Sequence, residues 1–174
     1  SMALLSGKLI AERILAHTKE RILQSGLTPG LAVVLVGEYI ESQKYVALKE
    51  ERAKEVGVFF EKFLFPTTTS KEELFSVLDA LNARTDIHGI IVQLPLPEGL
   101  PTDDIIARID PKKDTDGFHE ATLGRFLSGD KASCPVFPRA IVELIRETGA
   151  QFHGEKAIAV VNSNIIGRVL AFAL

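Results

Sequence analysis

The stretch Leu31-Ala32-Val33-Val34-Leu35-Val36-Gly37 decides the fold. A continuous apolar run that ends at a glycine is typical of a strand buried on both faces of a parallel sheet. A second run, Gly89-Ile90-Ile91-Val92-Gln93, leads into Leu94-Pro95-Leu96-Pro97. Because proline lacks the N–H group that a strand ladder needs, this second strand is predicted to end near Gln93.

Helical patterns separate the strands along the chain. Apolar spacing, capping residues and breaks at proline or glycine predict helices over residues 8–24, 42–56, 69–82, 103–108, 139–148 and 165–174. Further strands are predicted over residues 58–65 and 157–161, with mostly loop over residues 110–130. Alternating strands and helices imply parallel pairing with right-handed crossovers. We therefore predict an α/β fold, with a parallel sheet and helices on both faces.

A new strand–turn–helix unit is predicted to begin near Gly149 and Gly154. We expect residues 1–150 to form one domain and residues 151–174 to begin a second. The chain ends in the apolar run Ala171-Phe172-Ala173-Leu174, without a capping residue or a polar tail. We therefore expect the natural protein to continue beyond this run.

Composition and charge exclude several classes of protein. The 174 residues carry a formal net charge of −3 and no dense Lys/Arg cluster, so no nucleic-acid partner is expected. The longest apolar runs are too short to span a bilayer, so no membrane partner is expected. Cys134 is the single cysteine, which excludes a disulfide framework and favours a reducing, cytoplasmic location. The histidines lack metal-ligand spacing on any helix face, so no metal site is predicted.

The predicted helix over residues 42–56 carries the candidate chemistry. At about 100° per residue, Ser42, Tyr45 and Lys49 share the apolar stripe that this helix turns toward the protein. Lys49 would then point inward, and Gln93 at the end of a strand offers it an amide. A lysine held in such a cleft can serve as a base or a proton shuttle. The simpler alternative is that Lys49 extends past the helix edge into water.

Three motifs resemble one enzyme family. They are Ser42-x-x-Tyr45-x-x-x-Lys49 after Val36-Gly37, the segment from Gly89 to Pro97 quoted above, and Pro111-Lys-Lys-Asp114-Thr-Asp116-Gly117-Phe118. Their order and spacing resemble the bifunctional methylenetetrahydrofolate dehydrogenase/methenyltetrahydrofolate cyclohydrolases. The resemblance covers nearly the whole chain, and it implies that residues 1–150 bind folate while residues 151–174 begin a Rossmann-type NAD(P)-binding domain.

The resemblance also implies a reaction and a role for each residue. Methylenetetrahydrofolate would be oxidised by NADP, or by NAD, to the methenyl form and then hydrolysed to 10-formyltetrahydrofolate. Lys49 would be the catalytic residue, Gln93 would hold and tune it, and Tyr45 would stack on the folate rings. Asp116 would receive the pterin N–H groups, and Ser42 would be a supporting hydroxyl. The alternative for Asp116 is an ordinary turn aspartate before Gly117. A homodimer is expected for the full-length protein.

The cofactor turn departs from the family pattern. Val161 stands where the family has glycine, and Asn162 stands where it has arginine, while Ser163 and Gly167 are retained. We expect Ser163, Asn162 and Gly167 to contact the cofactor. Valine does not take a positive φ cheaply, and loss of the arginine would weaken the grip on a 2′-phosphate.

Two further stretches also depart from the pattern. Val136 and Phe137 replace a cysteine and a threonine at the junction that faces the nicotinamide, and Tyr39 and Ile40 are bulkier than the family's residues before Ser42.

Two other functions stay open. The altered cofactor turn favours a folate-binding paralogue that lacks catalysis or retains only cyclohydrolase activity. A different two-domain dehydrogenase with a catalytic lysine and a small-acid substrate is the other candidate, which Tyr45 and Asp116 disfavour.

Overall fold

The computed structural model describes residues 5–162 and 164–174. The helices and strands of these residues follow in the order α1 Gly7–Ser25, β1 Gly30–Val36, α2 Ile40–Val56, β2 Phe59–Phe65, α3 Lys71–Ala83, β3 Gly89–Val92, α4 Thr102–Ala107, α5 Glu120–Leu127, a 3-10 helix Lys131–Ser133, α6 Val136–Arg146 and α7 Asn164–Ala173. The alternating pattern predicted from the sequence is therefore confirmed as far as β3.

The chain divides into two compact units. Leu15–Thr115 forms the sheet unit, which contains the strands β1, β2 and β3. Ser1–Ile14 and Asp116–Leu174 form the terminal unit, so the division falls inside α1. The predicted domain boundary near residue 150 stays a prediction, and each unit is described by itself.

The sheet has the order β2-β1-β3, and both strand pairs are parallel. β1 is central because its residues are apolar on both faces and buried along nearly the whole strand. Gly30 starts β1 where a side chain would collide with the backbone: a Cβ there would lie 1.9 Å from the Asp86 carbonyl oxygen. Because both strand pairs are parallel, the carboxyl ends of β1, β2 and β3 meet at one edge of the sheet.

Helices cover both faces of this sheet. One face of β1 packs in a core with α3 and α4, and the other face packs with α2. The first core includes Val34, Leu74, Leu78 and Ile105, and the second joins Val33 and Leu35 to Val46 of α2. The sheet unit thus has the predicted architecture.

α3 shows how local sequence sets a helix start. The Ser70 hydroxyl accepts a hydrogen bond from the Glu73 N–H, and the Glu73 carboxylate accepts one from the Ser70 N–H. This reciprocal capping box satisfies donors that the first helical turn leaves free. The backbone N–H of Ser70 also holds the pKa of the Glu73 carboxyl below its usual range.

The terminal unit consists mainly of helices. Phe126 of α5 and Phe172 of α7 meet edge to face, with ring centroids 5.1 Å apart. Arg13 pairs with Glu147 at 2.7 Å between Nη2 and Oε2, which keeps the pKa of the Glu147 carboxyl low. In the described part of the chain, no helix has the length and apolarity to cross a membrane.

Two local predictions were wrong, and a third missed a helix. The expected loop over residues 110–130 contains α5, whose start is capped by His119 accepting a hydrogen bond from the Ala121 N–H. α6 starts at Val136 rather than near residue 139, because Pro138 lies in its first turn, where a missing N–H costs nothing. The expected strand over residues 157–161 is not formed. A strand needs a neighbour to accept its hydrogen bonds, and the described residues of the terminal unit provide none.

Candidate active site

Lys49 and Gln93 form a direct contact in the sheet unit. The Lys49 Nζ donates a hydrogen bond to the Gln93 Oε1 at 2.6 Å, and both side chains are half-buried. Lys49 is positioned by α2, whose Ser42, Val46 and Ala53 are buried on the inward face. The predicted inward orientation of Lys49 is therefore what the structure shows.

The orientation of the Gln93 amide is fixed from its other end. Its Nε2 donates to the Leu94 carbonyl oxygen at 2.9 Å, so its Oε1 is the atom left to face Lys49. Its backbone N–H donates to the Val34 carbonyl oxygen at 2.9 Å, which ties the residue to the central strand. One N–H of the Lys49 amine is thus committed to the protein, and the rest of the amine is available to a substrate or water.

Ser42 and Tyr45 lie on the same helix with different exposure. Ser42 is buried, which fits a supporting hydroxyl rather than a direct binding group. Tyr45 is 61% exposed and presents its ring to solvent. An exposed aromatic beside a half-buried lysine is suited to stacking on a planar ligand.

Asp116 belongs to the terminal unit. Its carbonyl oxygen accepts a hydrogen bond from the Val136 N–H at 3.2 Å. The following Gly117 has φ +82°, and a Cβ there would lie 2.8 Å from the Pro135 Cα. Glycine is therefore required at residue 117, both by the positive φ and by the lack of space for a side chain. The hydrogen bond from Val136, at the start of α6, holds the backbone of Asp116.

Two anchoring contacts were missed by the sequence analysis. The Leu94 carbonyl that orients Gln93 is one of them. The other is Lys113, whose Nζ donates to the carbonyl oxygens of Leu81, Asn82 and Arg84 at 3.1, 2.8 and 2.6 Å. These carbonyls are at the end of α3, where a cation is favourable. The only sign of this contact in the sequence was the presence of Lys113 in the motif that begins at Pro111. A lysine in a motif does not indicate which backbone carbonyls it will contact.

A cavity of about 390 Å³ is lined by residues of α2, β1 and β2. Its lining includes Gly37, Gln43, Val46 and Lys62, and it includes none of the predicted site residues. Cavity volume therefore does not locate the chemistry in this chain, whereas the contact between Lys49 and Gln93 does.

The residues ahead of α7 fit a dinucleotide in part. Ser163 lies outside the described residues. A Cβ on Gly167 would lie 2.9 Å from the Cγ2 methyl of Val161, so the glycine allows these two residues to pack closely, as glycines do beside a nucleotide turn. α7 has no acidic residue in its first turn, so its N-terminus suits an anion. Val161 does not have a positive φ, and Asn162 lies exposed in a bend.

The histidine and the cysteine described next have no catalytic role in this structure. His88 accepts a hydrogen bond from the Gly30 N–H through its Nδ1 at 2.9 Å, which joins β1 to the residue before β3. Burial raises the pKa of the Cys134 thiol, so this cysteine is not an activated nucleophile. Across residues 5–162 and 164–174, no cluster of His, Cys, Asp and Glu is placed to hold a metal ion.

The chain is similar to known proteins over most of its length. The family described as tetrahydrofolate dehydrogenase/cyclohydrolase, catalytic domain, matches residues 5–116. The bifunctional protein FolD of Geotalea daltonii is 40% identical over 172 residues, which are 97% of this chain and 61% of that protein. The chain belongs to this family.

Solved structures of family members agree with the fold. The Campylobacter jejuni bifunctional enzyme FolD, a methylenetetrahydrofolate dehydrogenase/cyclohydrolase, has a TM-score of 0.91 and 32% identity over 99% of this chain and 62% of that chain. The Trypanosoma brucei enzyme, complexed with NADP and an inhibitor, has a TM-score of 0.92 and 26% identity over 98% of this chain and 60% of that chain. This chain therefore spans about three fifths of the length of its relatives.

Proposed function

We propose that the protein oxidises 5,10-methylenetetrahydrofolate to the 5,10-methenyl form and hydrolyses that form to 10-formyltetrahydrofolate. The hydrogen bond between the Lys49 Nζ and the Gln93 Oε1 is the observation that carries this proposal. Membership of the family and the printed activities of its relatives support it. The substrates are one-carbon derivatives of tetrahydrofolate.

Lys49 is proposed to move the protons. Water adds to the methenyl carbon and loses a proton, and the ring then opens as the C–N bond breaks and the nitrogen gains a proton. An amine at this position can accept the first proton and return the second, and Gln93 keeps the amine in place while it does so. Tyr45 stacks on the folate, which contributes about 0.5–1.5 kcal/mol, and the buried Ser42 supports the cluster.

Asp116 is proposed to accept hydrogen bonds from the pterin. This role rests on the motif around Asp114 and Asp116, and on a backbone that Gly117 and Val136 hold in one conformation. A carboxylate selects a ligand that carries paired N–H donors, since a ligand without them leaves the acceptor unpaired.

NADP is proposed as the cofactor, with NAD as the other possibility. When bound, the nicotinamide supplies the hydride acceptor for the oxidation. Gly167 and the N-terminus of α7 would contact the dinucleotide, together with Asn162 and Ser163. A relative solved with NADP supports this choice. Val161 and Asn162 argue for weaker binding than in relatives that keep the glycine and the arginine.

A homodimer and a cytoplasmic location complete the proposal. Among the described strands β2 lies at the edge of the sheet, and its Leu64 is exposed. Such an edge is a site for pairing with a second copy. The single cysteine suits a reducing compartment.

The decisive test is to assay both reactions with the complete gene product. Hydrolysis of methenyltetrahydrofolate and reduction of NADP by methylenetetrahydrofolate are each followed by absorbance. Both activities are expected. Absence of both would contradict the proposal.

A cyclohydrolase without dehydrogenase activity is the second candidate, and the altered Val161 favours it. Calorimetric titration with NADP and with NAD separates the two. Hydrolysis without binding of either dinucleotide would establish the second candidate in place of the first.

A further inference from the structure

The amine of Lys113 is bound by the backbone of the sheet unit. A lysine ammonium has three N–H donors, and Lys113 donates to the carbonyl oxygens of Leu81, Asn82 and Arg84 at 3.1, 2.8 and 2.6 Å. These carbonyls lie at the end of α3, where the helix dipole favours a positive charge. Because each donor has an acceptor, the amine joins residue 113 firmly to the end of this helix.

The backbone of the same residue is joined to β3. The Ile90 N–H donates to the Lys113 carbonyl oxygen at 2.8 Å, and Asp114 pairs with Ile90 in a parallel bridge. A Cβ built on Gly89 would overlap the Thr115 Oγ1, so the chain passes directly against the start of β3. We call residues 113–115 the anchored segment, because a side chain ties it to a helix and its backbone ties it to a strand.

The anchored segment determines where Asp116 begins. Thr115 is the last residue of the sheet unit, and Asp116 follows it directly in the chain. A carboxylate that pairs with ligand N–H groups has to be held at hydrogen-bonding distance, and a misplacement of about 1 Å can cost about 100-fold. An anchor that ends one residue before Asp116 is therefore suited to set the position of its backbone.

A role in stability alone is the simpler explanation for Lys113. The end of α3 already has another tie, however, because the Asn82 Nδ2 donates to the Arg108 carbonyl oxygen and the Asn82 Oδ1 accepts from the Asp110 N–H, at 2.8 and 2.9 Å. This tie joins α3 to residues 108–110 without Lys113. The amine of Lys113 adds a tie that reaches the anchored segment itself.

We propose that Lys113 is a positioning residue for the substrate, which holds the anchored segment so that Asp116 meets the pterin N–H groups. Lys113 acts through Asp116 and does not itself contact the substrate. This inference rests on the proposed folate activity. Its experiment therefore has to separate a protein that binds no folate from one that binds folate without the help of Lys113.

Affinity and turnover separate these cases. In the complete gene product, Lys113→Met keeps most of the side chain but loses the amine, and it is expected to weaken binding of 5-formyltetrahydrofolate about 10- to 100-fold in calorimetry. Its kcat for hydrolysis of methenyltetrahydrofolate should stay within about 2-fold, since other elements make the contact between Lys49 and Gln93. Lys112→Met removes an exposed neighbouring lysine and should change neither quantity.

The outcomes of this measurement are distinct. Wild-type affinity in Lys113→Met would overturn the inference and leave the proposed function standing, whereas a wild-type protein that binds no folate would overturn both. An equal loss of affinity in Lys112→Met, or a fall in kcat as large as the loss of affinity, would also contradict the positioning role.

A double-mutant cycle tests the path through Asp116. If both residues serve one contact, their effects overlap, so Lys113→Met in an Asp116→Asn background should weaken folate binding by less than about 2-fold. The same loss in both backgrounds would show that Lys113 acts through the fold at large, and its assignment to Asp116 would be wrong.

Gly89 provides a second way to move the anchored segment, which matters if urea unfolding shows that Lys113→Met is not folded. Gly89→Ala keeps Lys113 and places a Cβ against the Thr115 Oγ1, so the segment has to shift. This variant should bind folate more weakly, and Gly89→Ala combined with Thr115→Ala, which removes that oxygen, should recover the affinity. Wild-type affinity in Gly89→Ala, or no recovery in the double variant, would refute the proposal.

Discussion

The α2 cluster and the turn ahead of α7 both carry motifs of the family, yet they differ in how much of their pattern remains. The α2 cluster, defined as Ser42, Tyr45 and Lys49 with Gln93, keeps every expected residue, and its central hydrogen bond is formed. The turn keeps Gly167 but has Val161 in place of a glycine. The first region is built on a sheet with helices on both faces, whereas the second follows residues that form no strand. Side chains that stand on a packed sheet are positioned by many contacts, so single substitutions nearby change their positions little. The backbone of a turn is set by a few residues, so one substitution such as Val161 can change it.

The largest expected effect is on the packing beneath the α2 cluster. Leu78→Ala removes a fully buried side chain between α3 and the sheet, and it should lower the free energy of unfolding by about 2–5 kcal/mol. Leu23→Ala, at an exposed position of α1, should change it by less than about 0.5 kcal/mol. Urea unfolding followed by circular dichroism measures both. Equal effects would show that this core does not carry the stability of the sheet unit.

The next effect concerns Gln93. Gln93→Leu removes the acceptor that holds the Lys49 amine, and it should lower kcat for hydrolysis by about 100-fold with a small change in KM. Gln93→Glu keeps an acceptor and should recover part of the rate with an altered pH profile. Gln43→Leu, on the exposed side of α2, is the control. A Gln93→Leu enzyme with unchanged kcat would remove Gln93 from the mechanism.

The prediction for Gln93 concerns a contact that the sequence indicated in advance, whereas the packing of Leu78 comes from the structure. The inward position of Lys49 followed from helical periodicity, and its contact with Gln93 followed from the meeting of strand ends at one edge. The hydrogen bond to the Leu94 carbonyl and the three carbonyl acceptors of Lys113 depend on backbone positions that no residue pattern specifies. α5 was missed because its helix has only eight residues and contains Gly124, which is unfavourable inside a helix. The strand over residues 157–161 was predicted from the apolar character of its residues alone. A strand also requires a neighbouring strand to accept its hydrogen bonds, and without one this segment stays extended toward solvent, with Val160 97% exposed.

A smaller effect is expected at the turn. If dinucleotide binding requires positive φ at residue 161, a valine there costs about 1–2 kcal/mol, so Val161→Gly should tighten NADP binding roughly 5- to 30-fold. Val160→Gly adds the same flexibility at the neighbouring residue and should not tighten binding. Calorimetry on the complete gene product measures the affinities. Unchanged affinity in Val161→Gly would show that the departure from the family pattern has no cost.

The smallest effect is the pH dependence of the sheet unit. Arg84 lowers the pKa of the Asp86 carboxyl to about 2, against about 3.9 for an unpaired aspartate. A carboxyl with a lowered folded-state pKa stabilises the fold above its unfolded-state pKa, and this contribution is lost as the pH falls toward 2. The unfolding free energies of wild type and Asp86→Asn should therefore differ near pH 6 and converge as the pH approaches 2. Added salt should reduce the difference at pH 6.

Hydrolysis of methenyltetrahydrofolate by Lys49→Met tests the central claim most directly. The complete gene product carrying this change should retain folate binding and lose about 10²- to 10⁴-fold in hydrolysis rate, because the group that moves the protons is gone. Lys44→Met removes an exposed lysine from the same helix and should hydrolyse at the wild-type rate. A Lys49→Met enzyme that hydrolyses as fast as Lys44→Met would contradict the account.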